Sequence, residues 1–135
     1  MKAESKEPIW IEEHDALAIH SRLLAKDGGA PGLRDRTLLQ SALARPPQHY
    51  AYDSSADLIK MAAFYTAALV RNHPFVDGNK RTGFVIGILF LELNGFAFTA
   101  SEEDAAQAVM GLAAGAIPEA AYAAWLRSNV KRRRR

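Results

Sequence analysis

The sequence contains no cysteine, which excludes disulfides, thiolate nucleophiles and cysteine-built zinc sites and permits a reducing compartment. Long apolar runs are also missing. The most strongly hydrophobic, Phe84 to Leu91, is eight residues, against the roughly 20 that a membrane-spanning helix needs. The first ten residues, MKAESKEPIW, lack the apolar stretch of a signal peptide. A soluble, cytoplasmic protein with no membrane contact is therefore expected. There is no internal repeat, no HExxH string, no GxxxxGK string and no serine in a nucleophile-elbow context, so the common zinc-protease, P-loop and serine-hydrolase sites are ruled out.

A general excess of one charge sign is absent too. The formal net charge is +2, yet the terminal run Lys131–Arg135 carries five positive charges, so the remainder of the chain is net acidic. The high isoelectric point, about 9.0, is a property of that run, and the body shows no nucleic-acid footprint. Residues 131–135 are expected to form a disordered, solvated tail; contact with nucleic acid or an acidic partner through it is the alternative. With 135 residues, 49% of them hydrophobic and 24% charged, the rest fits one globular domain over residues 1–130.

Glycines and prolines divide this domain into helix-length pieces. Helical spacing runs from about Glu12 to Ala25 and stops at Asp27-Gly28-Gly29. Asp35 suits the N-cap of a short helix to about Ala44, which Pro46 and Pro47 should end. The segment Gln48–Asp53, with Tyr50, Ala51 and Tyr52, reads as an extended flap or an irregular loop. Ser54 and Asp57 have capping-box spacing ahead of a helix to about Asn72. The run Asn79–Leu93 is apolar nearly all round after its first turn; its length favours a helix over a strand, and Gly83 and Gly87, four apart, would give a smooth face for a neighbouring helix. Phe96–Thr99 is a short extended candidate. Ser101 with Asp104 opens another helix, and Pro118 suits the first turn of a last one reaching about Val130. The expected fold is all-α: a compact bundle of about six helices with a short flap or hairpin before the central helix.

Chemistry concentrates in His73-Pro74-Phe75-Val76-Asp77-Gly78-Asn79-Lys80-Arg81, between the two most apolar helices. A helix starting at Gly78 or Asn79 presents unpaired backbone N–H groups and a positive dipole end, which suits a phosphate. Lys80 and Arg81 add cations at that end, where they oppose the dipole unless an anion is present. Asp77 suits magnesium, which takes one or two carboxylates and completes its shell with water and phosphate oxygens. His73, four residues before Asp77, could take a proton from an attacking hydroxyl. The plainer reading is a turn followed by ordinary helix-start charges. Other histidines offer less: His14 and His20, six apart, do not share a helix face, and His49 reads as a loop residue. Trp10, Trp125, Met61 and Met110 read as packing.

The string HPFVDGNKRTG resembles the signature of the Fic/Doc (Fido) superfamily, H-x-F-x-[DE]-[GA]-N-[GK]-R, and the likeness extends from Glu12 to about Gly95 through the GGAPGLRD connector and the FLELNG helix end. It is closest to the death-on-curing toxins of toxin–antitoxin systems. The resemblance implies an all-helical Fido fold that transfers part of ATP, with magnesium, to a hydroxyl of a protein. It makes His73 the base, Asp77 the metal ligand, Gly78, Asn79 and Lys80 the anion-binding turn, Arg81 a phosphate contact and Phe75 the apolar anchor. It also implies target docking along Tyr50–Tyr52 by main-chain pairing, with packing of the two tyrosines against the core as the alternative.

Most nucleotidyl-transferring members have glycine where this chain has Lys80, and a second arginine where it has Phe84. The death-on-curing toxins share the lysine and lack that arginine, which implies transfer of the γ-phosphate. Gly78 points the other way, towards transfer of AMP, because the toxin pattern has alanine there. A catalytically idle binding module is a third reading, opposed by the intact His73, Asp77, Asn79 and Arg81 set. No self-inhibitory Ser/Thr-x-x-x-Glu-Gly/Asn string occurs, so control is expected from a separate antitoxin. The resemblance implies a translation factor, such as elongation factor Tu, as the protein substrate.

Overall fold

A computed structural model of the chain describes residues 7–53 and 55–133. It is all-α apart from one small sheet: α1 (Glu13–Asp27), α2 (Arg36–Tyr52), α3 (Leu58–Asn72), α4 (Asn79–Leu93), β1 (Phe96–Phe98), α5 (Glu102–Ala113), α6 (Glu119–Ser128) and β2 (Val130–Arg132). No helix among the described residues is long and apolar enough to cross a membrane.

The centre is α3, in which every residue from Met61 to Val70 except Phe64 is buried. It packs closely on α4, and the expected smooth face is there. A Cβ on Gly87 would lie 2.5 Å from Thr66 Oγ1 and 3.0 Å from the Ala62 carbonyl oxygen; one on Gly83 would meet Leu69 and Val70 at 3.2 Å. The Thr66 hydroxyl donates to the Gly83 carbonyl at 2.8 Å, a bond that only such close backbones permit. Phe90, Tyr65 and Trp10 carry the core onward as stacked and tilted rings.

Caps follow the sequence in part. Asp35 accepts from the Leu38 N–H at 3.0 Å, and Ser101 accepts from the Asp104 N–H at 3.1 Å. At α3 the N-cap is Asp57, which accepts from the Lys60 N–H at 2.8 Å; it is not the third residue of a box opened by Ser54, which lies outside the described residues.

Two expectations are overturned. The prolines do not end α2, which continues through Pro46 and Pro47 to Tyr52. Tyr50, Ala51 and Tyr52 are therefore its last turn, and His49 lies on it; there is no extended flap or hairpin before α3 in the described residues. Proline withdraws a helical N–H and crowds the carbonyl four residues back, typically about 3 kcal/mol or more inside a helix. Here Leu39, Ala42, Leu43 and Pro46 recur at helical spacing and are all buried, so packing of that stripe against α3 overrides the local penalty. Tyr50 meets Trp10 edge-on at 5.5 Å, while Tyr52 is 90% exposed.

The disordered-tail expectation also fails as far as Arg133. The last helix stops at Ser128, and Val130–Arg132 pairs antiparallel with Phe98–Phe96. The Arg133 N–H donates to Gly95 O at 2.9 Å, and the Arg132 guanidinium sits 5.3 Å from the Phe96 ring centroid. Arg134 and Arg135 lie outside the described residues.

Candidate active site

The motif loop connects the C-terminus of α3 to the N-terminus of α4, so the fixed spacing of those two helices sets its span. His73 caps α3 in the left-handed region, φ 51° and ψ 55°, an uncommon conformation for a residue that precedes proline. Arg34 from the connector holds it there, donating through Nε to His73 O at 2.7 Å and through Nη2 to Asn72 O at 2.8 Å. The connector then pairs with the loop: Arg34 and Asp35 N–H groups donate to Pro74 O, and Val76 N–H donates to Gly32 O.

Phe75 is 1% exposed, as an apolar anchor should be. Asn79 is buried and turns its amide back into the loop. Its Oδ1 accepts from Phe75 N–H at 2.9 Å, and its Nδ2 donates to Phe75 O at 2.9 Å. Those two bonds fix the amide's orientation and leave Nδ2 facing His73 Nδ1 at 3.3 Å. That long contact orients the exposed imidazole without locking it. Asn79 thus organises the loop with its side chain, and only its backbone N–H belongs to the helix start.

Helix α4 begins with Gly78 as N-cap at φ 79°, a left-handed conformation that glycine adopts at no steric cost. The Thr82 N–H is the first to bond within the helix, to Gly78 O at 2.9 Å, so the N–H groups of Asn79, Lys80 and Arg81 have no intrahelical acceptor. The exposed Asp77 carboxylate stands beside them. Its Oδ1 accepts from Gly78 N–H at 2.9 Å and its Oδ2 from Ala30 N–H at 3.1 Å. A Cβ on Gly29 would lie 2.9 Å from that Oδ2, so glycine is what lets the connector backbone reach the carboxylate. Each oxygen takes one N–H donor, which fixes the group and leaves lone pairs for a hard cation.

Alongside the helix start runs a cleft of about 620 Å³, with Lys26, Asp27, Lys80 and Arg81 at its polar part and Phe84 and Met110 among its apolar walls. Met110, expected in the core, is 61% exposed. Arg81 is exposed but already shares one nitrogen with the protein: its Nη1 pairs with Asp27 Oδ2 at 2.5 Å. Lys80 is exposed on the same edge.

The structure therefore brings His73, Asp77, Gly78, Asn79, Lys80 and Arg81 together, whereas Tyr50–Tyr52 end a helix and are not among the residues that line the cleft. Sequence reasoning missed four contributors: Gly29, Arg34, Asp27 and His20. His20 is 5% exposed; its Nε2 lies 2.8 Å from Asp77 O, and its ring stacks on Phe75 at 3.8 Å, 8° from parallel. The available signal was a polar residue four positions from Ala16 on the only buried stripe of α1. Among the described residues, Glu12, His14 and Asp15 bring potential ligand atoms within 4.8 Å of one another, but Glu12 and Asp15 form the reciprocal cap of α1, which accounts for their closeness.

Comparison with known proteins agrees with the loop. The sequence profile of the Fic/DOC family matches residues 10–91. The chain is 33% identical over 117 residues to the protein named Protein kinase doc of Escherichia phage P1, covering 87% of this chain and 92% of that protein. It is 39% identical over 92 residues to the protein named Toxin Doc of Mycolicibacterium smegmatis, covering 67% of this chain and 68% of the other. With the profile spanning more than half of its length and its motif loop folded between the two central helices, this chain belongs to the Fic/DOC family.

Proposed function

We propose that the chain is a toxin-type protein kinase that transfers the γ-phosphate of ATP to a hydroxyl of a protein. The observation that carries this reading is the juxtaposition, on one loop, of a helix start with three N–H groups free of helical partners, an exposed imidazole and a carboxylate pinned by two backbone N–H groups.

The triphosphate binds at the start of α4, where N–H groups of Asn79, Lys80 and Arg81 and the two side-chain cations offset its charge. Asp77 would hold magnesium, which when bound neutralises phosphate oxygens and orients them. His73 takes the acceptor hydroxyl's proton on its exposed imidazole. The acceptor oxygen forms a bond to the γ-phosphorus, the bond from that phosphorus to the β,γ-bridging oxygen breaks, and ADP leaves with the electron pair. Catalysis is then mostly positioning and charge neutralisation.

The choice of the γ-phosphate rests on Lys80 and Phe84, which both line the cleft. A long cation and an aromatic ring stand where the resemblance gives nucleotidyl-transferring members a glycine and a second arginine. The name of the phage relative, Protein kinase doc, supports the same choice. AMP transfer is the second reading, favoured by Gly78. Toxin naming among the relatives supports a separate antitoxin and a protein target; a translation factor, such as elongation factor Tu, as that target, and hence action in the cytoplasm, rests on the resemblance to the death-on-curing toxins alone.

The test is to incubate the purified chain with magnesium, cell extract and ATP labelled at either the α or the γ phosphorus. Protein label from the γ position alone supports the kinase, and label from the α position supports AMP transfer. Neither label, with ATP binding demonstrated, points to an idle binding module.

A further inference from the structure

The carbonyl of Asp77 is held by a side chain from outside the motif loop and its connector. The donor is His20, on α1 and 57 residues away. A carbonyl oxygen can only accept, so Nε2 of His20 carries the hydrogen. The other side of the same peptide unit is held as well, since the Gly78 N–H donates to Asp77 Oδ1 at 2.9 Å. The Asp77–Gly78 peptide plane is thus pinned at its oxygen by His20 and at its nitrogen by the Asp77 carboxylate.

This peptide is the one in the loop whose local energetics do not choose an orientation. Gly78 sits at φ 79°, and glycine populates positive and negative φ about equally. Turning the plane over would need only opposite changes in the torsions on either side of it. The turned peptide would present a carbonyl oxygen where an N–H now belongs, at the edge of the helix start, and would release the carboxylate from Gly78. An electronegative oxygen there repels a phosphate.

We infer that His20 is a positioning residue that locks the Asp77–Gly78 peptide with its carbonyl oxygen turned to His20 and its N–H turned to the Asp77 carboxylate, so that no carbonyl oxygen faces the anion site at the helix start. Burial obliges the His20 N–H to find an acceptor, and the one it takes is the carbonyl of the motif's carboxylate residue. His20 has its ring fixed by stacking on the anchor Phe75, 8° from parallel, so that Nε2–H has one direction in which to point. The inference rests on the proposed phosphate site but concerns the loop's geometry, which can be read without any reaction.

The experiment uses the full chain and two substitutions. His20→Phe keeps a ring for Phe75 and removes the donor; His20→Gln keeps a donor at nearly the same reach and removes the ring. The first readout is the Gly78 amide resonance in the free protein. It should leave its wild-type position in His20→Phe and return towards it in His20→Gln. The second is ATP: the KM and the directly measured Kd should rise about tenfold in His20→Phe, the usual weight of one buried hydrogen bond, and recover in His20→Gln. A merely structural role would lower the active fraction, and so kcat, at unchanged KM. An unmoved Gly78 resonance in folded His20→Phe overturns the inference. Should that variant fail to fold, folded His20→Gln with a displaced Gly78 resonance overturns it equally. Wild-type protein that binds ATP but transfers nothing defeats the proposed function alone, because the resonance still reports on the lock.

Discussion

Gly87→Ala tests how closely the two helices that carry the loop approach each other. In an isolated helix the change is favourable by about 1 kcal/mol. Here the new Cβ would lie 2.5 Å from Thr66 Oγ1 and 3.0 Å from Ala62 O, both inside van der Waals contact. Thr66 can rotate away only by giving up its bond to Gly83 O, which leaves a fully buried hydroxyl unsatisfied at about 1–3 kcal/mol. The Ala62 carbonyl is backbone and cannot rotate, so α3 and α4 must part slightly, and overpacking of this kind costs about 1–3 kcal/mol. Setting the propensity gain against these terms gives a net loss of about 1–5 kcal/mol. Urea unfolding of wild type, Gly87→Ala, Thr66→Ala and the double variant measures it. The double variant should be more stable than the two single losses added together, since Thr66→Ala removes the closest clash. Gly83→Ala, whose nearest contacts are 3.2 Å, should cost less. Because α3 ends at Asn72 and α4 begins at Asn79, parting the helices should also depress transfer activity. A Gly87→Ala protein as stable as wild type would refute the packing argument.

Four further outcomes follow from the site and its supports. His73→Ala should abolish transfer while leaving nucleotide binding largely intact, measured by labelled-ATP transfer and calorimetry; undiminished transfer would remove His73 from its role. Asp77→Ala should lose activity together with its magnesium dependence, and a fully active, metal-independent variant would contradict the ligand assignment. Asp27→Asn should free Arg81 for phosphate and tighten ATP binding by at most about fivefold, since half-exposed ion pairs are worth about 0.2–1 kcal/mol; the gain should shrink at high salt, and weaker binding would show that Asp27 positions Arg81 productively. Glu119 governs an acid limb of stability. Burial pushes its carboxyl up, but Arg45 and Arg71 more than reverse this and hold it below its ordinary value of 4.5. A carboxyl lowered in the fold adds stability above its unfolded value and loses it as pH falls through the folded one. Wild type should therefore lose stability below about pH 4.5 more steeply than Glu119→Gln, as followed by thermal unfolding against pH; parallel curves would discount the pair.

Helix identities were legible where the residues repeat a local rule. The boundaries of α4, the Gly83–Gly87 face, the caps at Asp35 and Ser101 and the extended piece at Phe96 all follow from spacing and cap chemistry. What failed was decided by distant packing. Pro46 and Pro47 are helix breakers by local rule, and nothing nearby in the chain says that the stripe of Leu39, Ala42, Leu43 and Pro46 will be pressed on α3 strongly enough to override them. The extended reading of Gln48–Asp53 rests on Tyr50 and Tyr52 alternating with small residues, and it fails because α2 continues through both. Likewise Lys131 and Arg132 look like solvated charge until Phe96–Phe98 supplies an edge for their backbone.

The site shows the same division at the scale of single atoms. His73, Asp77 and the helix start could be found from the sequence because their chemistry depends on their spacing within one loop. Arg34, Gly29, Asp27 and His20 could not, because each acts across the space between α1, the connector and α4, and each acts on backbone or on a single charge. Arg34 holds the strained cap at His73, Gly29 lets the Ala30 N–H reach Asp77, and Asp27 neutralises Arg81. The Arg81–Asp27 pair carries the consequence furthest. A cation at a helix N-terminus is unfavourable unless an anion offsets it, and without a phosphate the fold supplies a carboxylate of its own. On the proposed function, a triphosphate at the helix start would compete with Asp27 for Arg81, so the affinity would depend on the difference between the two contacts rather than on the full strength of either.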